Sequence, residues 1–429
     1  MSERYKKSEE MLMRAEMTIP LGTQTFSKSR TQFPRGASPF YAARAEGSRL
    51  WDVDGNEYID FNNSLAAITL GYCDPDVNAA VSAQLAEGVI FTLPHSVEVE
   101  AAELIVEMVP SAKRVRFGKN GSDATAGAVR LARAFTGRDR VAVCGYHGWQ
   151  DWYIGSTLRN LGVPQATRDL TSVFQYNNLE SLRALLVAHP GEFAAVILEP
   201  MSVAWPAPGF LEGVAELTRS HGALLIFDEI VTGFRFANGG AQELFGVTPD
   251  LTALGKSIAN GFPLSAVAGR ADVMKLMEEI FFSFTMGGEA LSLAAAIATM
   301  KKIKSRSVTA KIAETGNLLL DGVRLRIEKY GIEHFAEAAG HPSWSFVLLK
   351  DLPDTSSFEI KTLFMQECLA RGILTLGSHN MSYAHSADDV ARLLAVYDEV
   401  FPLLRDAVAN RSIRQYLHCE PLQPLFKVR

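Results

Sequence analysis

Between about residues 71 and 304 the chain alternates short, nearly continuous apolar runs with longer helical stretches, and few folds accept that pattern. The runs Arg114–Phe117, Val141–Cys144, Ala194–Leu198, Ala223–Phe227 and the stretch around Leu264–Ala268 are apolar on both faces. Strands of that kind lie between two layers of helix, which predicts an α/β domain on a mostly parallel sheet. Such sheets bind ligands beyond the carboxyl ends of their strands. Residues just after each run are therefore the first candidates for chemistry.

The flanks read differently. The first 20 residues look helical, and Leu21–Ser38 is a polar stretch dotted with Gly and Pro. Asp54-Gly55, between the strand-like runs Arg49–Val53 and Glu57–Phe61, is a strong hairpin turn pair. After about Ser305, helical stretches (Thr309–Tyr330, Ser357–Arg371, Ala387–Asn410) surround short strands such as Trp344–Leu349. The expected division is 1–65, 66–304 and 305–429, which suits a chain of 429 residues. Lys and Arg total 42 against 48 Asp and Glu, a net charge of −6, which argues against a nucleic-acid surface. The four cysteines form no CxxC pair, so no zinc ribbon or disulfide framework is expected. The charged N-terminus lacks an apolar signal core, and no apolar run approaches the roughly 18 residues that span a bilayer. A cytoplasmic enzyme with no membrane segment is the expectation.

Three sites stand out. After the run ending at Phe117, Gly118–Asp123 leads into the helical stretch Ala124–Thr136, with Gly137 as its stop. A strand, a turn of small residues and a helix start present unpaired N–H groups to an anion, although a plain capped helix gives the same pattern. Asp123 would repel a phosphate, so its side chain must turn away or cap the backbone. Asp228, at the end of a buried strand, needs a partner for its charge; metal, nucleotide and cationic ring all qualify, and structural strand-end Asp residues are common. Gly255-Lys256-Ser257 resembles the end of a phosphate-binding P-loop, but the glycine required upstream would stand at Asp250. A lysine among small and apolar residues is instead suited to Schiff-base chemistry, its amine kept available by desolvation, whereas a lone lysine is ordinarily a solvated charge.

Asp52-Val53-Asp54-Gly55 resembles the start of a calcium loop, yet the glycine comes two positions early and no ligand ladder follows. The nine histidines show no metal spacing, and His147 reads as a structural ring. Tyr146, at a strand end, is a platform for a flat ligand.

Together, LWDVDGNEYIDF, FGKNGSDATAGAVRLARAFTGRD, GYHGW, AAVILEP, LLIFDEIVTGFR, GGAQELFGVTPDLTALGKSIANGFPLSA, SFTMGGEALSLAAA and SYAHSADDV resemble the class III aminotransferases that use pyridoxal 5′-phosphate (PLP). The branch most similar is that of the glutamate-1-semialdehyde aminomutases. The resemblance implies fold type I: a large α/β domain on a mostly parallel seven-stranded sheet, and a small α+β domain with which the N-terminal arm and hairpin pack. It implies that Lys256 holds PLP as a Schiff base and then moves the substrate proton. Asp228 would pair with the pyridine nitrogen, Gly121 and Ser122 would bind the phosphate, and Tyr146 and Ile230 would cover the two faces of the ring. Glu199 would lie near the cofactor or substrate. Thr285 would reach the phosphate of a neighbouring subunit, implying a homodimer with shared sites. Where aminomutases place a carboxylate-binding arginine, this chain has Gly22–Ser29, with Ser27 and Lys28 as candidate substrate residues. Lysine is a point charge without arginine's fork, which favours a hydroxyl-rich carbonyl acceptor such as a keto sugar or cyclitol, aminated from a donor such as glutamate. The alternatives are the aminomutase itself, PLP-assisted elimination and, from another class, a phosphate- or nucleotide-binding protein.

Overall fold

In the computed structural model, residues 3–423 are described, and the chain divides into two units at 74/75 and 310/311. The first unit opens with the helix Lys6–Glu16, then strands β1 (Ala42–Glu46), β2 (Arg49–Asp52) and β3 (Glu57–Asp60). β2 and β3 pair antiparallel with Leu50 opposite Tyr58, across a turn in which Gly55 takes φ +90°, a conformation glycine adopts without a Cβ penalty. The turn also starts the helix: Asp54 accepts the N–H groups of Lys7 (2.7 Å) and Ser8 (2.9 Å), two of the donors a helix start leaves orphaned. Asp52 accepts from Asn56 and Tyr58. Both acids of the calcium-loop lookalike therefore serve the hairpin, and no metal-binding cluster occurs among the described residues.

The second unit carries β4 (Arg114–Gly118), β5 (Arg140–Cys144), β6 (Thr171–Val173), β7 (Phe193–Leu198), β8 (Leu224–Glu229), β9 (Leu251–Leu254) and β10 (Ser265–Gly269). They form one seven-stranded sheet in the order β4-β10-β9-β8-β7-β5-β6. β10 runs antiparallel to both neighbours and every other pair is parallel. Every residue of β7 and β8 is buried, as a sheet covered on both faces requires. Ala195, Ile197, Leu224 and Ile226 pack toward the helix Gly121–Thr136. Val196, Leu198, Leu225 and Phe227 pack on the other face toward the helix Phe210–Ser220. Each buried Val, Leu, Ile or Phe side chain among them contributes about 1.5–3 kcal/mol. The first of these helices stops at Gly137, φ +67°. β4, β5, β7, β8 and β9 all run the same way, so their carboxyl ends meet at one edge.

The chain then returns to the first unit. β11 (Ala336–His341), β12 (Trp344–Leu349) and β14 (Ser378–Asn380) form an antiparallel three-stranded sheet, while β13 (Ile373–Leu374) pairs in parallel with β3. The helices Ser357–Ala370 and Ala387–Ala409 each begin on a serine whose hydroxyl accepts an N–H of the first turn. Residues 1–2 and 424–429 of the terminal segments lie outside the described residues. No helix among the described residues is long and apolar enough to cross a membrane.

Candidate active site

The edge where those five strands end carries a carboxylate, an amine and an open helix start. Asp228 is 4% exposed and belongs to β8 itself, one residue beyond the expected run. Its Oδ1 accepts the N–H of Ile230 (3.1 Å), and its Oδ2 lies 2.8 Å from His147 Nδ1. An ionised carboxylate only accepts, so His147 donates from Nδ1. The imidazole is fully buried and stacks on Trp152, while the edge of Tyr153 meets it at 5.2 Å. Thr125 Oγ1 fixes the His147 carbonyl at 2.8 Å. His147 is thus more than the structural ring its sequence suggested: it is the partner that makes a buried Asp228 tolerable.

Glu199 follows β7 directly. Its Oε2 accepts the N–H of Tyr146 at 3.0 Å. Burial, reinforced by the charge of Asp228, raises its carboxyl to about 6 against the pull of His147 and Lys256. The neighbouring Glu229 points to the opposite side, where it binds Thr232, Ala241 and Gln242 and shapes the loop after β8.

Lys256 stands two residues past β9 with φ +40°, a left-handed conformation that costs a non-glycine residue about 1–3 kcal/mol and recurs at functional sites. The residue keeps some solvent contact along its length, but desolvation lowers the pKa of its amine, opposed by the charges of Glu199 and Asp228 and aided by Arg235. Nζ makes no hydrogen bond or ion pair among the described residues. The following turn is a four-residue 3-10 helix, too short to serve as the helix start of a nucleotide-binding loop. Ser257 and Ser265 are fully buried with hydroxyls that lack a partner among the described residues.

The helix Gly121–Thr136 begins after an extended Asn120. Asp123 turns back so that its Oδ2 accepts the N–H groups of Asn120 (2.7 Å) and Lys119 (3.0 Å), which keeps its charge off the open end. The N–H groups of Gly121 and Ser122 have no acceptor among the described residues. Ser122 Oγ accepts from Trp149 N–H (3.2 Å) and so keeps its own proton to donate. Gly148, φ +103°, permits this approach, because a Cβ there would sit 2.2 Å from Ser122 Oγ. Ile230 fills the space between the elements: Cβ atoms on Gly121 or Gly255 would each come within 3.1 Å of its Cδ1. Tyr146 is 49% exposed, with its ring edge-on to Tyr153 at 5.6 Å.

The second unit thus gathers Gly121, Ser122, Tyr146, Glu199, Asp228, Ile230 and Lys256 at one sheet edge. Thr285 is in the same unit, exposed at the start of a turn spanning 285–288. Ser27 and Lys28 belong to the other unit, in the turn Phe26–Lys28, where Lys28 is exposed. Tyr153 was not among the residues the sequence singled out, and Trp149 entered only as the last residue of GYHGW; closeness in sequence to Tyr146 was the signal for both. An unpaired amine, a fixed carboxylate, a free pair of helix N–H groups and an aromatic face suit a flat, basic ring that carries a phosphate and an aldehyde. The residues present fit PLP on that chemistry.

Comparison with known proteins adds independent findings. A family model described as aminotransferase class-III matches residues 32–383. A glutamate-1-semialdehyde 2,1-aminomutase of Brevibacillus brevis is 36% identical over 417 residues, 91% of this chain and 96% of the relative. One from Roseiflexus castenholzii is 41% identical over 335 residues, covering 74% of this chain and 76% of the relative. The FumI protein of Sphingopyxis sp. MTA144, solved in its PLP internal aldimine form, superposes with a TM-score of 0.88 at 30% identity, covering 97% of this chain and 99% of that one.

Proposed function

This chain belongs to the class-III aminotransferases, and from that premise we propose that it transfers an amino group from an amino-acid donor such as glutamate to a separate aldehyde or ketone acceptor. The enzyme is PLP-dependent. When bound, PLP supplies an aldehyde that captures amines and a ring that accepts electrons from the substrate carbon. In this reading Lys256 would hold the aldehyde carbon through Nζ, and the same amine would hold and move the proton at the reacting carbon. Asp228 keeps the ring nitrogen protonated. Gly121 and Ser122 hold the phosphate at a helix start, where the dipole contributes roughly 0.3–1 kcal/mol. Tyr146 and Ile230 bracket the ring, and Glu199 supports the Tyr146 side. Thr285 of a second copy would complete the phosphate site.

The observation that carries this reading is the combination at the ends of β8 and β9. Asp228 is pinned by His147 and by the Ile230 N–H, while Lys256 is desolvated, unpaired and electrostatically coupled to it. A structural ion pair would have brought those two charges into contact. The acceptor in this proposal is hydroxyl-rich, a keto sugar or cyclitol of glycan or secondary metabolism, because Gly22–Ser29 offers hydroxyls, an amide and Lys28. A second reading, glutamate-1-semialdehyde aminomutase, is supported by the names of the curated relatives. Purified enzyme given glutamate should release one 2-oxoglutarate per site and turn over only when a carbonyl acceptor is added. Isomerisation of the semialdehyde with no donor present would overturn the first reading in favour of the second.

A further inference from the structure

The peptide unit between Gly145 and Tyr146 is gripped from two directions. Its N–H donates to Glu199 Oε2 (3.0 Å), and its carbonyl accepts from the hydroxyl of Tyr153 (2.8 Å). A peptide plane fixed at both polar ends cannot rotate, so ψ of Gly145 and φ of Tyr146 are set, and with them the direction in which the Tyr146 side chain leaves the backbone. Gly145 adopts φ +107°, and a Cβ there would lie 2.5 Å from Glu199 Oε2; the first grip depends on glycine. The second comes from a residue eight positions on, in the short helix Asp151–Ile154. Tyr153 is fully buried, and its ring meets Tyr146 edge-on at 5.6 Å and His147 at 5.2 Å. One side chain therefore touches both the residue proposed to face the cofactor ring and the residue that holds Asp228.

We propose that Tyr153 is a positioning residue that clamps the Gly145–Tyr146 peptide and so orients Tyr146 against the bound cofactor. The inference rests on the PLP reading given above. Burial, with the charge of Glu199 beside it, pushes the Tyr153 phenol upward, so the hydroxyl keeps its proton and acts as a fixed donor, not as an acid. Without the clamp the half-buried Gly145 carbonyl would lose its donor, and Tyr146, half exposed, would sample several orientations.

The test is a double-mutant cycle on PLP-reconstituted protein with Tyr153→Phe, Tyr146→Ala and the pair, read as the Kd of the apoprotein for PLP and as kcat. Tyr153→Phe should raise Kd and lower kcat by about tenfold each, the scale of one buried hydrogen bond, with the donor KM within about twofold. In the Tyr146→Ala background the same change should add less than about twofold, because the residue through which it acts is gone. A merely structural Tyr153 would lower Tm in both backgrounds and give additive effects on Kd and kcat; that result overturns the proposal. If wild-type apoprotein takes up no PLP, the cofactor reading itself fails and the clamp falls with it. Uptake by wild type with a Tyr153→Phe variant indistinguishable from it rejects the clamp alone.

Discussion

Replacing His147 by leucine removes the donor to Asp228 Oδ2 and leaves a carboxylate that is 4% exposed with, among the described residues, a single N–H partner, from Ile230 at 3.1 Å. Net, a hydrogen bond to a charged group contributes about 1.5–3 kcal/mol. At 1.4 kcal/mol for each factor of ten, that loss corresponds to about 10- to 150-fold in an equilibrium constant. The buried carboxylate then has two ways to relax, by taking up a proton or by rotating toward a polar neighbour, and either weakens its hold on a protonated ring nitrogen. The Kd of the apoprotein for PLP should rise by that factor and kcat should fall. The assay is a titration of apoprotein with PLP, followed by visible absorbance and tryptophan fluorescence, beside a thermal melt to confirm folding. His147→Asn, which retains a nitrogen donor, should recover part of the loss. A leucine variant that binds PLP within about threefold of wild type would refute the idea that His147 maintains the charge of Asp228.

Lys256→Ala should lower turnover by at least about 100-fold while the apoprotein Tm stays at or above wild type, because an unpaired, desolvated ammonium is removed; a Tm drop beyond about 3 °C would contradict that origin. Glu199 holds its proton up to about pH 6 in the folded chain, against 4.5 for an ordinary glutamate. Its contribution is therefore full below about pH 4.5 and disappears as pH rises through 6. Glu199→Gln should consequently gain about 1–2 kcal/mol over wild-type apoprotein between pH 4.5 and 7, and urea unfolding curves with a pH-independent difference would rule this out. Gly148→Ala forces a Cβ to within 2.2 Å of Ser122 Oγ at φ +103°, so at least about a tenfold weaker hold on PLP is expected; an unchanged PLP-to-protein ratio after desalting would show that this turn does not support the phosphate.

Direction and partnership were the properties hardest to read from residues. Strands β7 and β8 were legible because six consecutive buried residues can hardly be anything else. β6, three residues long, and β9, the four residues Leu251–Leu254 before the lysine turn, carry too little pattern to stand out from the loops around them. That β10 runs antiparallel depends on the path between Lys256 and Ser265, which no periodicity encodes. The pairing of β13 with β3 links positions more than 300 residues apart. At the site, Lys256 and Asp228 were recognisable because a lysine among small residues and an acid on an apolar strand are each anomalous. His147 was not, since a histidine beside a strand is ordinary until the carboxylate opposite it is seen. The Tyr153 hydroxyl binds a backbone carbonyl, a contact with no sequence signature. Asp123 was the reverse case: electrostatics alone required it to turn from a phosphate, and it caps Lys119 and Asn120.

The central claim, that Nζ of Lys256 is the covalent seat of PLP, is tested most directly by reducing the PLP-loaded chain with borohydride and mapping the peptides. Loss of the visible band and a single pyridoxyl label on Lys256 are expected. A label on any other lysine, or none at all on protein that carries the visible band, would contradict it.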